Sequence, residues 1–210
     1  MIKAIAFDIG GVLQYTRCPA KKIHGHECPG VHEYIAKKLK ISLDTWFDAI
    51  DTAYAESIVG KTTKQKALAA MAKNLGMDAR KIEEICKKSY RKNFRRNKEL
   101  YAIAVKLKKK GYKTALLSDQ WHVSKEILVP RKDEKLFTYS FVSCDVKMRK
   151  PSKQIFQHVM KRSHLKPDEI IFIDNRDWNT KPAKKLGIKT ILFKSNKQAL
   201  RELKKLGVSI

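Results

Sequence analysis

The sequence predicts an α/β protein: a parallel sheet flanked by helices, with a helical subdomain inserted after the first strand. Five short, nearly continuous apolar runs, at 2–7, 112–117, 137–143, 170–173 and 190–193, have the composition of strands covered on both faces. From the second run onward they alternate with helical patterns, as in a parallel sheet built from strand–helix–strand units. About a hundred residues separate the first run from the second, far more than one crossover needs, and nearly all of them carry apolar residues at three- and four-residue spacing.

Taken in order, the first strand ends in Phe7-Asp8-Ile9-Gly10-Gly11-Val12-Leu13, a strand running into a glycine turn. Helical patterns follow at 30–41, 42–59, 62–75 and 78–94, with breaks at Gly60 and Gly76. A helix from Asp78 turns Ile82, Ile85, Cys86 and Tyr90 inward and Lys81, Lys87, Lys88, Arg91, Lys92 and Arg95 outward. The expected division is an α/β core of residues 1–15 and 95–210, with the helical insert at 16–94. The second strand runs into Ser118-Asp119, the third is followed by Met148-Arg149-Lys150-Pro151, and the fourth by Asp174-Asn175.

The 210 residues are 43% hydrophobic and 32% charged, the balance of an ordinary globular protein. No span approaches the length of a bilayer-crossing helix, and Asp8, Gly10 and Gly11 interrupt the N-terminal apolar run, which makes it a poor signal peptide; the reading is cytoplasmic, with no membrane partner. Forty-six Lys and Arg against 21 Asp and Glu give a net charge of +25. Residues 80–110 hold thirteen of those cations and three acids. Such a surface attracts nucleic acid through its phosphates without a sequence code; the plainer alternative is a solvated basic face. Cys18, Cys28, Cys86 and Cys144 are too few for a disulfide scaffold, and Cys86 and Cys144 read as buried apolar residues. Cys18, His24, His26 and Cys28, with His32 nearby, supply enough ligands for zinc, but their spacing fits no standard finger and a polar loop explains them equally. The sequence is silent on oligomeric state.

Ligands of open α/β sheets bind beyond the carboxyl ends of the strands. There Asp8, Ser118, Asp119, Lys150, Asp174 and Asn175 supply carboxylates, a hydroxyl and an ammonium, a set suited to a divalent cation, a phosphoryl group and a nucleophile. One Asp after a strand is more often a cap or turn residue, but a series of such residues in this order is much harder to reach by chance. The order FDxxGxL, SD, RKP and FIDN resembles the haloacid dehalogenase-like (HAD) superfamily over essentially the whole chain. Met148-Arg149-Lys150-Pro151, Ile155-Phe156-Gln157-His158-Val159, and Asp174 with Leu186-Gly187-Ile188 further resemble its bacterial sugar-phosphate phosphatases related to α-glucose-1-phosphate phosphatase.

The resemblance implies a Rossmann-like core with the insert as its cap. Asp8 is then the nucleophile of an aspartyl-phosphate, Ser118 and Asp119 contact the phosphoryl group, and Lys150 neutralises charge on both. Mg²⁺ is held by Asp8, the Gly10 backbone carbonyl and Asp174, with Asn175 as a weaker ligand. Two departures matter. Gly10 stands where most relatives have an acid/base Asp, and Asn175 where many have a second Asp.

The expected function is a Mg²⁺-dependent phosphatase of a small phosphorylated metabolite. The alternatives are a nucleic-acid-binding or polynucleotide-end-processing HAD protein with weakened catalysis and, ranked lower, a haloacid dehalogenase. Arg149, Arg176 and Asp177 read equally as rim ion-pair residues. Trp121, Trp178 and His122 lie beside the motifs, and both tryptophans are expected to pack.

Overall fold

The computed structural model describes residues 1–16, 21–23, 26–28 and 30–210. Strand β1 (Ala4–Phe7) is followed by β2 (Gln14–Thr16), a pair β3 (Lys21–Ile23) and β4 (His26–Cys28), helices α1 (Val31–Leu39), α2 (Leu43–Ile58), α3 (Lys64–Leu75) and α4 (Ala79–Asn93), and β5 (Phe94–Arg96). Helix α5 (Lys98–Lys109) leads into β6 (Lys113–Ser118), α6 (His122–Leu128), α7 (Arg131–Glu134), β7 (Tyr139–Val142), α8 (Ser143–Val146), α9 (Lys153–Ser163), β8 (Ile170–Asp174), α10 (Asp177–Lys185), β9 (Lys189–Leu192) and α11 (Asn196–Lys205).

The five long-range strands form one parallel sheet in the order β7-β6-β1-β8-β9, so the first strand of the chain lies at its centre. All four residues of β1 and all five of β8 are buried, which is why these segments read as unbroken apolar runs. Alternation sorts their side chains. Ile5, Phe7, Leu116, Ile171 and Ile173 face one apolar cluster; Ala4, Ala6, Ala115, Leu117, Ile170 and Phe172 face another, under α9 and α10, where Phe156 meets Phe172 edge to face at 5.6 Å. The third strand is shorter than its apolar run suggests. Phe137 precedes it and fills the space between Phe7 and Tyr101, at centroid distances of 6.2 and 5.9 Å, while Ser143 already begins α8.

Every helix of the insert has a buried face, and α2, α3 and α4 also have a side-chain start signal. Ser42, Thr63 and Asp78 accept hydrogen bonds from the backbone N–H three residues on, at 2.9, 3.2 and 2.9 Å, and so cap α2, α3 and α4. The inward set of α4 includes two polar residues the apolar pattern misses. Ser89 Oγ donates to the Val31 carbonyl at 2.8 Å, and Asn93 Nδ2 donates to the Ser89 carbonyl at 2.9 Å. The same apolar cluster that covers β1 continues through Trp46, Met71 and Ile82 of the insert. The chain enters and leaves the insert through β2 and β5, which pair antiparallel.

Several contacts seat the insert on the sheet's rim. Trp121 Nε1 donates to the Tyr90 hydroxyl at 2.7 Å, and Ser57 Oγ meets His122 Nδ1 at 2.8 Å. Gly60, at φ +62°, presses so closely on the Cys144 carbonyl that a Cβ there would lie 2.2 Å from its oxygen.

On the opposite side of α4, exposed Lys88, Arg91 and Lys92 face the helix α1 that carries Lys37 and Lys38, with Arg95 of β5 just beyond, and among the described residues none of these six is in an ion pair. Lys92 lies over the Tyr34 ring at 4.9 Å. No helix of the described residues is long and apolar enough to cross a membrane. Cys18 and His24, and the side chains of His26 and Cys28, lie outside what the structure describes; His32 Nδ1 accepts from Trp46 Nε1 at 2.9 Å, and burial lowers its pKa to about 4.

Candidate active site

Parallel strands bring their carboxyl ends to one edge, and here those ends converge on Lys150. Asp8 leaves β1 with its backbone N–H bonded to the Ile173 carbonyl of β8 at 2.9 Å; Ser118 and Asp174 are the last residues of β6 and β8. The loop after α8 carries Lys150 into the middle of them, where it is 2% exposed. Its ammonium donates to Asp8 Oδ1 at 2.7 Å, to Asp174 Oδ2 at 2.7 Å and to the Leu117 carbonyl at 3.1 Å, so all three of its protons are used.

The carboxylates are held in turn. Asp174 accepts at Oδ1 from the Arg176 backbone N–H at 2.8 Å and at Oδ2 from Asn179 Nδ2 at 3.0 Å. Asp119 accepts from the Lys150 backbone N–H at 3.0 Å, and Arg149 stands 3.7 Å from its other oxygen. Ser118 Oγ accepts from Gln120 Nε2 at 3.0 Å, and Ser124 Oγ donates to Gln120 Oε1 at 2.7 Å. Gln120 and Asn179 carry no charge and belong to no motif the sequence displays, yet they fix the hydroxyl and one of the carboxylates.

Burial sets the electrostatics. Desolvation raises the Asp8 carboxyl to about 6 despite the opposing pull of Lys150, and the neighbouring Asp174 charge adds to the rise. Burial also raises Asp119, against Lys150 and Arg149. Lys150 is raised as well, for a different reason: desolvation alone would lower it, but Asp8, Asp174 and Asp119 hold its ammonium well above the usual lysine value. Asp8, Asp174 and Lys150 together leave one buried negative charge that lacks a counter-charge.

These residues surround a cavity of about 290 Å³. Asp8, Gly10, Ser118, Asp119, Lys150 and Asn175 line it, and Asp174 lies just behind, reached through Lys150. The far wall comes from the insert and its connections: Tyr54 and Ile58 of α2, Thr16 of β2 and Phe94 of β5. Of the two tryptophans, Trp121 packs as expected. Trp178 does not: it is 50% exposed at the cavity, with the Arg176 guanidinium 5.0 Å from its ring. Its place in the first turn of α10 turns it away from the sheet toward the open side of the cavity.

One buried atom points to a missing partner. Asn175 Oδ1 is buried without a hydrogen bond, and Gly11 is what lets this side chain lie so close, since a Cβ there would sit 2.4 Å from Asn175 Nδ2. An orphaned amide oxygen lining the same cavity as the Asp8 carboxylate, next in sequence to Asp174, offers hard oxygen donors, which fit a cation such as Mg²⁺.

Residues 2–187 match the family model of haloacid dehalogenase-like hydrolases. The chain belongs to that family. It is similar to bifunctional epoxide hydrolase 2 of Rattus norvegicus, 27% identical over 97% of this chain and 38% of that protein. It also resembles the glyceraldehyde 3-phosphate phosphatase of Pyrococcus furiosus, 32% identical over 47% of this chain and 42% of that protein. This HAD-like hydrolase thus spans less than half the length of either curated relative. In three dimensions it resembles a HAD family enzyme of Bacteroides thetaiotaomicron, with a TM-score of 0.75 at 22% identity, covering 93% of this chain and 95% of that one. A second structure of that enzyme, at a TM-score of 0.70 and 21% identity, contains magnesium and inorganic phosphate and covers 93% of this chain and 96% of that one.

Proposed function

We propose that the protein is a Mg²⁺-dependent phosphatase that hydrolyses a small phosphorylated metabolite through an aspartyl-phosphate on Asp8. The observation that carries this reading is the buried Lys150 ammonium joining Asp8 to Asp174 at the floor of a small cavity, beside the unpartnered Asn175 oxygen. The phosphatase among the relatives, and the magnesium and phosphate in the Bacteroides enzyme, support it.

Lys150 takes only Oδ1 of Asp8, leaving the other oxygen to attack phosphorus. As that P–O bond forms, the ester P–O bond breaks and its electron pair leaves on the substrate oxygen. Gly10 has no side chain to supply a proton, so the departing oxygen takes one from water. Water then attacks the phosphorus of the acyl phosphate, releasing phosphate and restoring the Asp8 carboxylate. Because Ser118 Oγ accepts from Gln120, its own proton is free for a phosphoryl oxygen, while Lys150 offsets the charge that develops there. Asp8, Asp174, Asn175 Oδ1 and the Gly10 carbonyl would hold Mg²⁺, which supplies charge neutralisation for two anions brought together. The insert residues Tyr54, Ile58 and Phe94 help to exclude bulk water.

Phosphate release from a panel of sugar phosphates, nucleotides and end-phosphorylated oligonucleotides tests this. Release is expected with Mg²⁺ and is expected to fall at least about a hundredfold with chelator. Chloride release from 2-haloacids without Mg²⁺ would instead favour a dehalogenase.

The basic face of α1 and α4, free of ion pairs among the described residues, supports a second, weaker property, attraction of polyanions. RNA binding is expected to be independent of sequence and to fall steeply between low and physiological salt, as counterion release requires. Filter binding across a salt series measures it. Sequence-selective binding that persists at physiological salt would make nucleic acid the function.

A further inference from the structure

The cavity carries cations beyond the one that meets the reacting phosphoryl group. Lys150 already serves the floor. At the mouth stand two further guanidiniums, Arg149 and Arg176, both lining the cavity. Arg149 is 47% exposed, and its contact with Asp119 is a long one of 3.7 Å. Arg176 is in no ion pair among the described residues; the adjacent Asp177 is instead paired with Lys181 at 2.6 Å. The acids that line the cavity are Asp8, engaged by the Lys150 ammonium, and Asp119, engaged by the Lys150 backbone N–H.

Trp178 is the second observation. A half-exposed indole is a costly group to leave in water, and here it lies under the Arg176 guanidinium at 5.0 Å. The ring face favours the cation there, and among the described residues no carboxylate takes its N–H groups, which suit two-point binding of an oxyanion. Arg176 is anchored from the other side too, because its backbone N–H holds Asp174.

We infer that the substrate is a phosphomonoester whose organic part carries a second oxyanion, a carboxylate or another phosphate, received at the cavity mouth by Arg176 and Arg149. Trp178 is a positioning residue that holds Arg176. The cavity, about 290 Å³, lies at the lower end of ligand-pocket sizes, which limits the organic part to a small skeleton. This inference rests on the phosphatase reading for its chemistry, but not for its binding.

The test uses two matched pairs: 3-phosphoglycerate against glycerol 3-phosphate, and fructose 1,6-bisphosphate against fructose 6-phosphate. In the native protein at least one pair is expected to favour its doubly anionic member about tenfold or more in kcat/KM. The first pair reports a carboxylate and the second a phosphate. Arg176→Gln is expected to collapse that ratio toward one, Trp178→Ala to reduce it and Trp178→Phe to restore most of it, while Lys184→Gln, outside the cavity, leaves it unchanged. The same four compounds are titrated calorimetrically into the Asp8→Asn protein, which reports binding without turnover. Preferential binding with no phosphate release from any compound would end the phosphatase reading and leave the anion site standing. Equal kcat/KM and equal binding within both pairs, or a preference that survives Arg176→Gln and Arg149→Gln, would overturn the inference.

Discussion

Asp8→Asn is expected to lower phosphate release by at least about a thousandfold and to leave the protein as stable as the native chain, or more so, in metal-free buffer. The two halves have one origin. Asparagine keeps the shape of the side chain and an oxygen for Lys150, which donates to Asp8 at 2.7 Å, but an amide cannot carry the phosphoryl group. It also removes one of two buried carboxylates that share a single ammonium. What remains is Lys150 opposite Asp174, a balanced pair in place of a cluster with one negative charge in excess. Burial already raises the Asp8 carboxyl to about 6, so its ionised form is held at a cost the neutral amide avoids. Sites kept for chemistry commonly cost stability, and removing the reactive group recovers some of it. Phosphate release at saturating substrate and urea unfolding of both proteins measure the two effects. Retained turnover would move the nucleophile elsewhere; a clear loss of stability would mean that Asp8 braces the cluster rather than burdens it.

The sheet was legible because its strands are covered on both faces, so β1, β6 and β8 announce themselves as apolar runs. Their ends shift by a residue or two. Ser118 and Asp174 belong to their strands, which the apolar run alone does not reveal because the ladder continues past the last apolar side chain. The charged floor was legible for the same reason, as parallel strands deliver whatever follows them to one edge.

What was hidden is of two kinds. Gln120 and Asn179 act by holding other groups, and neutral amides leave no trace of that in a sequence. Thr16, Tyr54, Ile58 and Phe94 reach the cavity through contacts between the insert and the core, while β2 and β5 are three-residue strands too short to show a period. Trp178 went the other way: tryptophan usually packs, whereas this one is half-exposed beside Arg176 at the cavity.

Lys150→Met is expected to remove both activity and stability, the latter by about 3–5 kcal/mol, a large share of what a domain of this size possesses. Methionine fills the volume, so the loss is electrostatic. Three buried acceptors lose their donor at once: Asp8 Oδ1, Asp174 Oδ2 and the Leu117 carbonyl. Asp174 keeps its bonds from the Arg176 backbone and Asn179, whereas Asp8 keeps only a hydrogen bond from the Ile9 backbone among those identified. The two carboxylates then face each other without a cation between them. Adding Asp8→Asn to Lys150→Met removes one of those charges, so the double variant is expected to be more stable than Lys150→Met alone, with a coupling energy well outside the error of urea unfolding. If the two substitutions simply add, the lysine is a packing residue whose charge the fold does not use. If the double variant recovers, the charge balance of the floor is what ties the stability of this sheet edge to its chemistry.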